Sequence, residues 1–444
     1  MKAHALLLVA VAVAALTAGS SCAMSPPRGR LTLDGRLNCP YLSHNGGRAY
    51  LQLTLAAPDV RMPERKPVNL CVVLDRSGSM ADQGKIGNAK AALHALIHQL
   101  NEGDIFSLVI YDDIVEVLRP ACRVESKADL RSLVEGIHPR GWTNLGGGMS
   151  EGFDQAEKYA GRNYVNRVVL LSDGLANQGI TDPQTLGRIA RRHRDRSISL
   201  TTMGVGLEYN ENLMTRLADQ GGGNYYFIES SRNLASVLEK EFDRIGCVVA
   251  QNAVIELKLG RGVRVVDVVG GEFSGGEGRA TIHVGDLSAN DRREFTIELQ
   301  IPEGTGSHTV ATGEVRYDPV RDVALRAGSF AARITYTTDA AEIDRRRDMD
   351  TQAKADVAVS TRRVEKAMAS LDDGKNEEAV KELSAARDAL RASPAAAQAG
   401  SGAAIMAQEQ KLFGYEQTIA DSVGDSRRAK KAIKFENYRQ QRNK

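Results

Sequence analysis

The chain has 444 residues, which at roughly 100–200 residues per domain predicts about two to four domains. Apolar residues make up 42% of it and charged residues 26%, as in globular proteins with sizeable cores. The 58 Lys and Arg residues nearly balance 56 Asp and Glu residues, for a net charge of +2, so neither a nucleic-acid partner nor an acidic disordered chain is expected. Five cysteines without a Cys-x-x-Cys or Cys/His cluster argue against a disulfide scaffold and a structural zinc site.

The first residues have the pattern of an export signal. Lys2 supplies a positive charge, and the apolar run Ala5–Leu16 has the length of a signal-peptide core but is too short to span a bilayer. Cleavage after Ala23 and lipidation of Cys22 at a lipobox-like sequence both remain open. We therefore expect residues 1–23 to be a signal peptide. The chain is then exported to the periplasm or cell envelope, as a lipoprotein anchored only through Cys22 or as a secreted protein.

Four further cysteines follow this segment. An oxidising compartment would allow them to form disulfides. Cys71, however, lies within an apolar run, which is typical of a buried thiol. Pairing and unpaired thiols therefore both remain open for Cys39, Cys71, Cys122 and Cys247.

Residues 30–66 have the alternating pattern of a half-buried β-strand. Leu51, Leu53 and Leu55 face one way, while the polar residues between them face the other. One or two isolated strands cannot bury an apolar face. We expect these residues to join a sheet whose other strands come from elsewhere in the chain.

Residues 67–246 alternate short apolar strands with amphipathic helices. Residues 69–74 form a continuous apolar run, which is typical of a strand covered on both faces, and a helical stripe follows over 86–100. The alternation then continues through strands at 105–111, 165–171, 198–206 and 225–228 and helices at 130–137, 186–194, 213–218 and 234–245. This pattern predicts the α/β class, with a doubly wound, mostly parallel, Rossmann-like sheet between two layers of helices.

After Gly246 the pattern becomes that of antiparallel β-structure. Segments such as 263–269 and 295–301 alternate apolar and polar residues between glycine-rich turns. We expect residues 247–337 and 30–66 to form one β-sandwich into which the α/β domain is inserted.

Residues 340–444 are rich in Ala, Lys, Glu and Arg and predict helices. A first apolar stripe ends at Gly374, a second helix begins near Asn376, and a third covers 405–419. The first two resemble a single tetratricopeptide unit, and because one unit is too few for a solenoid, packing on the β domain is expected. The basic tail over 427–444 has two interpretations, a contact with acidic partners or lipid headgroups and a frayed terminus.

Polar side chains follow two buried strands of the α/β domain. Asp75, Ser77 and Ser79 come directly after the strand at 69–74 and, at alternate positions, face the same side. Asp173 ends the strand at 165–171, and Thr143 lies in the loop after the helix at 130–137. Because ligands bind at the carboxyl edge of a parallel sheet, we expect one metal site formed by Asp75, Ser77, Ser79, Thr143 and Asp173.

These five oxygen donors suit Mg²⁺, with Mn²⁺ and Ca²⁺ as alternatives. Only two of them are charged, so the ion's charge is at most balanced and the hydroxyls donate weakly. The ion then stays electrophilic and favours an additional carboxylate. The donor set therefore predicts an adhesion site that binds an Asp or Glu of another protein.

The same residues resemble the metal-ion-dependent adhesion site of the von Willebrand factor type A family. Asp-x-Ser-x-Ser at 75–79, the loop threonine at 143 and the strand-end aspartate at 173 match its pattern at all five positions. The resemblance implies that the three hydroxyls contact the ion, that the aspartates bind it directly or through water, and that a partner's acidic side chain completes the shell. The architecture also resembles bacterial exported proteins of this family and, more distantly, the inter-alpha-trypsin inhibitor heavy chains.

Two further features lie close to these residues. Asp112 and Asp113 end a strand and are interpreted as solvated acids, in preference to partners of the metal ligands. Trp142, the only tryptophan, adjoins Thr143 and is either an exposed anchor for a partner or part of the loop packing.

Two functions remain for the predicted site. The first is a non-enzymatic module that binds a protein partner through the ion. The alternative is a Mg²⁺-dependent hydrolase acting on phosphate esters, in which the ion activates water. The sequence has no His-Glu-x-x-His motif and no phosphate-binding glycine loop with a lysine, so we expect a protein that is not an enzyme. The partner's identity and the oligomeric state do not follow from the sequence.

Overall fold

The structure is a computed structural model that describes residues 28–60, 65–161, 163–320, 324–421 and 426–442. The predicted signal peptide, including Cys22, lies outside these residues. Among the helices of the described ranges, none combines the length and the apolar character that a membrane span requires.

Four strands precede the α/β domain. They are β1 (Arg28–Arg30), β2 (Thr32–Leu37), β3 (Tyr41–Ser43) and β4 (Gly47–Ala56). None of them joins the α/β sheet, and each pairs with at least one strand that follows the α/β domain or with another of the four.

The α/β domain has one six-stranded sheet between two layers of helices. Its strands are β5 (Val68–Asp75), β6 (Ile105–Tyr111), β7 (Val115–Arg123), β8 (Val165–Ser172), β9 (Ile198–Val205) and β10 (Gly222–Ile228). Its helices are α1 (Lys85–Gln99), α2 (Lys127–Glu135), α3 (Leu145–Glu157), α4 (Pro183–Arg194), α5 (Glu211–Gln220) and α6 (Leu234–Gly246). The order across the sheet is β10-β9-β8-β5-β6-β7, and all pairs except β6–β7 are parallel. The interior strand β5 is buried throughout, and it ends at the sheet edge where the candidate ligands begin.

Two elements of this domain escape prediction from the sequence. The half-exposed strand β7 pairs antiparallel with β6 at the edge of the sheet. Helix α3 contains glycines, which lower helix propensity. Here they allow a close approach to the sheet, because a Cβ at Gly148 would lie 2.5 Å from the Tyr111 ring and one at Gly152 2.3 Å from Val73. Tertiary packing therefore outweighs the local preference.

Eight strands follow the α/β domain. They are β11 (Val248–Leu259), β12 (Arg264–Val269), β13 (Glu272–Gly275), β14 (Arg279–Ser288), β15 (Arg292–Ile301), β16 (Ser307–Pro319), β17 (Ala324–Arg326) and β18 (Ser329–Thr337). They combine with the first four into sheets of order β12-β15-β4-β2 and β13-β14-β11-β16-β18-β3, with β1 and β17 as a separate parallel pair.

The two larger sheets enclose one apolar core. Leu51, Leu53 and Leu55 of β4 are fully buried in it, together with Ile297 of β15 and Ile255 of β11. Strand β4 pairs with β15 over its whole length. The prediction of an α/β domain inserted into a β-sandwich is confirmed.

Five helices form the C-terminal region. They are α7 (Ala340–Arg345), α8 (Met349–Asp372), α9 (Asn376–Arg391), α10 (Ser401–Asp421) and α11 (Ser426–Arg442). Helix α8 packs on the sheet of β12, β15 and β4, with Arg362 Nε 2.9 Å from Asp267 and Lys354 Nζ 3.0 Å from Glu294. The predicted helical C-terminal region, packed on the β domain, is therefore present.

The basic tail is a helix that packs on the α/β domain, and the described part of it fits neither interpretation drawn from the sequence. Lys431 Nζ lies 2.5 Å from Glu211 at the start of α5, and Lys434 bonds the same carboxylate. The Tyr438 hydroxyl accepts the N–H of Tyr225 in the edge strand β10. The acidic residues that pair with the lysines of α11 lie on elements far away in the sequence. The local sequence pattern of the tail therefore cannot predict this packing.

The four cysteines that follow the predicted signal peptide are all free thiols, so the unpaired interpretation holds for them. Cys39 and Cys71 are buried, whereas Cys247 is exposed. Burial raises the pKa of the Cys71 thiol to about 12, which makes it unreactive at neutral pH.

Candidate metal site

Backbone hydrogen bonds bring three loops together at the carboxyl edge of the α/β sheet. The Arg76 N–H donates to the Tyr111 carbonyl at 2.9 Å, which ties the loop after β5 to the end of β6. The Gly78 N–H donates to the Gly141 carbonyl at 3.1 Å, and the Arg140 backbone N–H donates to the Arg76 carbonyl at 2.8 Å. The loop that carries Ser77 and Ser79 is thereby held against the loop that carries Thr143.

Asp75, at the end of β5, is fully buried in a network of hydrogen bonds. Its Oδ1 accepts the Ser77 N–H at 2.8 Å, and its Oδ2 accepts the Ser172 hydroxyl at 2.8 Å and the Tyr111 hydroxyl at 3.3 Å. Burial disfavours the charged form and, with the nearby charge of Asp173, raises the pKa of Asp75 to about 6. A positive ion beside this carboxylate would offset that cost.

Three hydroxyl groups converge beside Gly174. Ser77 Oγ and Ser79 Oγ lie 3.2 Å apart. A Cβ on Gly174 would lie 3.3 Å from Thr143 Oγ1, 3.7 Å from Ser79 Oγ and 3.9 Å from Ser77 Oγ. The hydroxyls from two distant loops therefore surround the same point.

Asp173 completes the group of predicted ligands. Its Oδ1 accepts the Ser79 hydroxyl at 2.8 Å, so its carboxylate directly adjoins the hydroxyl group just described. The structure thus brings together all five residues that the sequence nominates: Asp75, Ser77, Ser79, Thr143 and Asp173.

Lys85 also belongs to the site, although the sequence analysis does not identify it. Its Nζ lies 2.6 Å from Asp173 Oδ2, and its side chain is only 7% exposed. Lysine in the first turn of an amphipathic helix normally extends into water, so the sequence contains no signal for this contact. The side chain reaches back past Gly206, where a Cβ would lie 3.4 Å from Lys85 Cε.

The interpretation of Asp112 as a solvated acid is wrong, because its side chain is fully buried between two arginines. Arg76 Nε and Arg140 Nε each lie 2.7 Å from Asp112 Oδ2. Burial alone raises its pKa, but the Ile114 N–H and the guanidinium of Arg140 hold the pKa of Asp112 below its ordinary value. Asp112 therefore positions the loops on either side of the ligands.

The neighbouring Asp113 is exposed and bonds the Thr143 loop. Its Oδ1 accepts the Trp142 N–H at 3.3 Å. Gly141 has a φ of +69°, and a Cβ there would lie 1.9 Å from that same oxygen, so only glycine fits between the two loops. Trp142 itself is exposed, which excludes the interpretation of its side chain as loop packing.

The donor set fits a hard divalent cation. All five candidate ligands offer oxygen, and a set of two carboxylates with three hydroxyls suits Mg²⁺, Mn²⁺ or Ca²⁺ better than zinc or copper. Across the described residues, no group of three or more His, Cys, Asp or Glu side chains could hold a metal ion.

A sequence match to a hydrolase motif does not form a nucleophile. Residues 148–152 read Gly-x-Ser-x-Gly, but in hydrolases such a serine occupies a sharp turn between strand and helix. Ser150 instead lies inside α3, and its hydroxyl donates to the Gly146 carbonyl at 2.8 Å. The motif therefore gives no support to the hydrolase alternative.

Comparison with known proteins supports the resemblance found in the sequence. The model of the von Willebrand factor type A domain family matches residues 69–240. The uncharacterized protein YfbK of Escherichia coli strain K12 is 30% identical over 216 residues, which are 48% of this chain and 38% of YfbK. Inter-alpha-trypsin inhibitor heavy chain H4 of Homo sapiens is 28% identical over 166 residues, 35% of this chain and 18% of that protein. The chain therefore spans less than half the length of either relative.

A solved structure extends the likeness beyond the matched region. The von Willebrand factor type A protein from Catenulispora acidiphila is similar with a TM-score of 0.69 at 16% identity, over 89% of this chain and 90% of that one. At this identity the likeness is one of fold, and its coverage includes most of the sandwich and the helical region. Residues 69–240 of this chain are therefore a von Willebrand factor type A domain.

Proposed function

We propose that this chain is a non-enzymatic protein that binds a protein partner through a divalent ion, Mg²⁺, at its von Willebrand factor type A domain. Domains of this family typically mediate protein–protein interactions and bind a divalent metal ion. Asp75, Ser77, Ser79, Thr143 and Asp173 would hold the ion. An Asp or Glu side chain of the partner would complete its coordination.

The observation that carries this proposal is the convergence of three hydroxyls and only two carboxylates at one point. Two carboxylates balance a divalent ion without excess negative charge, so a further carboxylate is still attracted. A set of four carboxylates would repel it. The composition of the site therefore favours capture of an acidic group from another molecule over a closed structural site.

We also propose that the mature protein acts outside the cytoplasm. The support is the signal-like pattern of residues 1–23. A lipid on Cys22 would anchor the protein at a membrane surface, whereas cleavage after Ala23 would release it. Mass spectrometry of the N-terminus of the mature protein separates these two outcomes.

A pull-down from envelope extract of the source organism tests the proposed binding. The full chain is immobilised and incubated with extract in Mg²⁺ or in EDTA, and the Ser77→Ala/Ser79→Ala variant is compared with wild type. We expect partner capture only by the wild type in Mg²⁺, because the variant loses two of the three hydroxyl donors.

The matched control is Ser236→Ala, which replaces an exposed serine on α6. Among the described residues, the Ser236 hydroxyl bonds only the Asn233 carbonyl. This variant is expected to capture the partner as wild type does. Capture that persists in EDTA, or in Ser77→Ala/Ser79→Ala, would contradict the proposal.

A further inference from the structure

Large exposed apolar side chains lie on the loops at the sheet edge where the candidate ligands converge. Such residues are usually buried, and clusters of exposed ones mark interaction sites. Four of the large hydrophobic side chains that are exposed among the described residues lie on the loops at this sheet edge. We call them the apolar rim: Ile114 (54% exposed), Trp142 (64%), Leu175 (56%) and Ile180 (42%).

Two members of the rim are tied to the loop of Thr143. Trp142 immediately precedes Thr143, whose side chain is buried at the site. The Trp142 N–H bonds Asp113, the residue before Ile114. Trp142 and Ile114 therefore lie on two loops that are hydrogen-bonded to each other next to Thr143.

The other two members lie on the loop after β8. Leu175 directly follows Gly174, beside which the three hydroxyls converge. Ile180 lies further along the same loop, and its backbone packs closely against α3. A Cβ added to Gly146 of α3 would lie only 2.4 Å from the Ile180 carbonyl oxygen. The loop itself is fixed to the site because the Asn177 and Gln178 N–H groups both donate to the Thr143 carbonyl.

The candidate metal site would carry a net positive charge with a divalent ion bound. The charges of Asp75 and Asp173 together equal that of the ion in magnitude. Lys85, buried against Asp173, adds one more positive charge. A carboxylate that enters from solvent is thus attracted to the ion, and the loops around the ion carry four exposed apolar side chains.

We propose that the apolar rim selects the sequence context of the partner's carboxylate. The occupant is a protein segment in which an Asp or Glu is flanked by large apolar or aromatic residues. This inference rests on the proposed function, because the carboxylate brings the flanking residues to the rim by binding the ion. Trp142 contributes most, since tryptophan offers a large, rigid contact area and is enriched among residues that dominate binding energy.

Selection from a random heptapeptide library displayed on phage tests the inference on the full chain. Phage are bound to immobilised protein in Mg²⁺ and eluted with EDTA. We expect the eluted peptides to contain Asp or Glu with Leu, Ile, Phe or Trp within about two positions, the reach of neighbouring side chains along an extended segment. Acidic peptides without apolar neighbours would overturn this inference and leave metal-dependent binding intact. Eluted peptides without acidic residues would contradict both proposals.

A pair of variants provides a second measurement. Trp142→Ala/Leu175→Ser removes half of the rim, and Met406→Ser removes a similarly exposed apolar side chain on α10. In fluorescence anisotropy with a selected peptide in Mg²⁺, we expect the first to weaken binding at least about tenfold and the second to leave it unchanged. Equal affinity of the two variants would overturn the inference.

Discussion

Lys85 changes the electrostatics of a site that the sequence describes only by its oxygen donors. Its ammonium group and a divalent ion would share the carboxylate of Asp173, which is fully buried. Two positive charges that share one carboxylate are close enough to repel each other. Burial strengthens this repulsion, because little water lies between the charges to screen it. Lys85 therefore stabilises the charged form of Asp173. It would oppose binding of the proposed ion and would favour a partner's carboxylate.

Lys85→Met is expected to raise the affinity for Mg²⁺ on the order of tenfold, because it removes the repulsion but keeps an apolar stem of similar length. Isothermal titration calorimetry measures the change. Lys90→Met is the control, since Lys90 lies on the same helix but bonds the Glu135 carbonyl and not a candidate ligand. Lower or unchanged affinity in Lys85→Met would mean that the lysine does not compete with the ion.

The raised pKa of Asp75 predicts a pH dependence of metal stabilisation. In the metal-free protein its pKa is about 6, above the ordinary value, so its contribution to stability is present at low pH and is lost as the pH rises through about 6. An ion requires the deprotonated carboxylate. We therefore expect Mg²⁺ to raise the melting temperature more at about pH 7.5 than at about pH 5. Differential scanning fluorimetry checks this, and a shift that is equal at both pH values would contradict it.

Helix α11 shows how an element that looks solvated in the sequence becomes part of a domain surface. Its aromatic residues Phe435 and Tyr438 pack edge-on against the Tyr225 ring of the edge strand β10. Its lysines Lys431 and Lys434 form ion pairs with Glu211. Burial by itself raises the pKa of Glu211, but the hydrogen bond from Lys431 and the charge of Lys434 outweigh it and hold the pKa below its ordinary value. The helix thus covers a sheet edge that would otherwise offer unpaired backbone groups.

Glu211→Ala is expected to lower the free energy of unfolding by about 3 kcal/mol, because it leaves the Lys431 ammonium buried without its partner. Glu208→Ala is the matched control, since its pair with Arg427 is exposed on both sides and is worth at most about 1 kcal/mol. Urea denaturation measures both, and limited proteolysis reports the release of α11. Equal losses in the two variants would show that the buried pair does not hold the helix.

The whole molecule is organised around strands that are separated by the inserted domain. Strand β4 lies between β15 and β2, so nine of the 29 buried residues of the sandwich core come from before the α/β domain. A buried ion pair also joins the two domains, with Arg167 of β8 2.8 Å from Asp286 of β14. Insertion therefore couples the stability of the two domains.

A polypeptide of residues 247–337 alone is expected to fold worse than the same segment linked to residues 30–66. Without β4, the apolar faces of β15 and the opposite sheet would be exposed to water. Thermal melting followed by circular dichroism compares the two polypeptides. Equal stability would mean that the later strands form a complete core by themselves.

The sequence by itself determined the class of the fold and the five oxygen donors. Periodicity marks the buried strands at 69–74 and 165–171, and in a parallel sheet the residues that follow such strands meet at one edge whatever the remaining details. Asp75 and Asp173 were therefore predictable from their positions at strand ends. The same reasoning predicted the sandwich, because Leu51, Leu53 and Leu55 required an apolar partner layer.

Only the tertiary structure decided which distant groups complete the site and its surroundings. Lys85, the burial of Asp112, the glycine-rich α3, the apolar rim and the packing of α11 all depend on the directions that side chains take after the chain has folded. A local sequence pattern indicates which side chains of one segment face the core and which face water. It contains no information on which charge or apolar face from another segment will lie opposite, since that is set by packing between elements far apart in the chain.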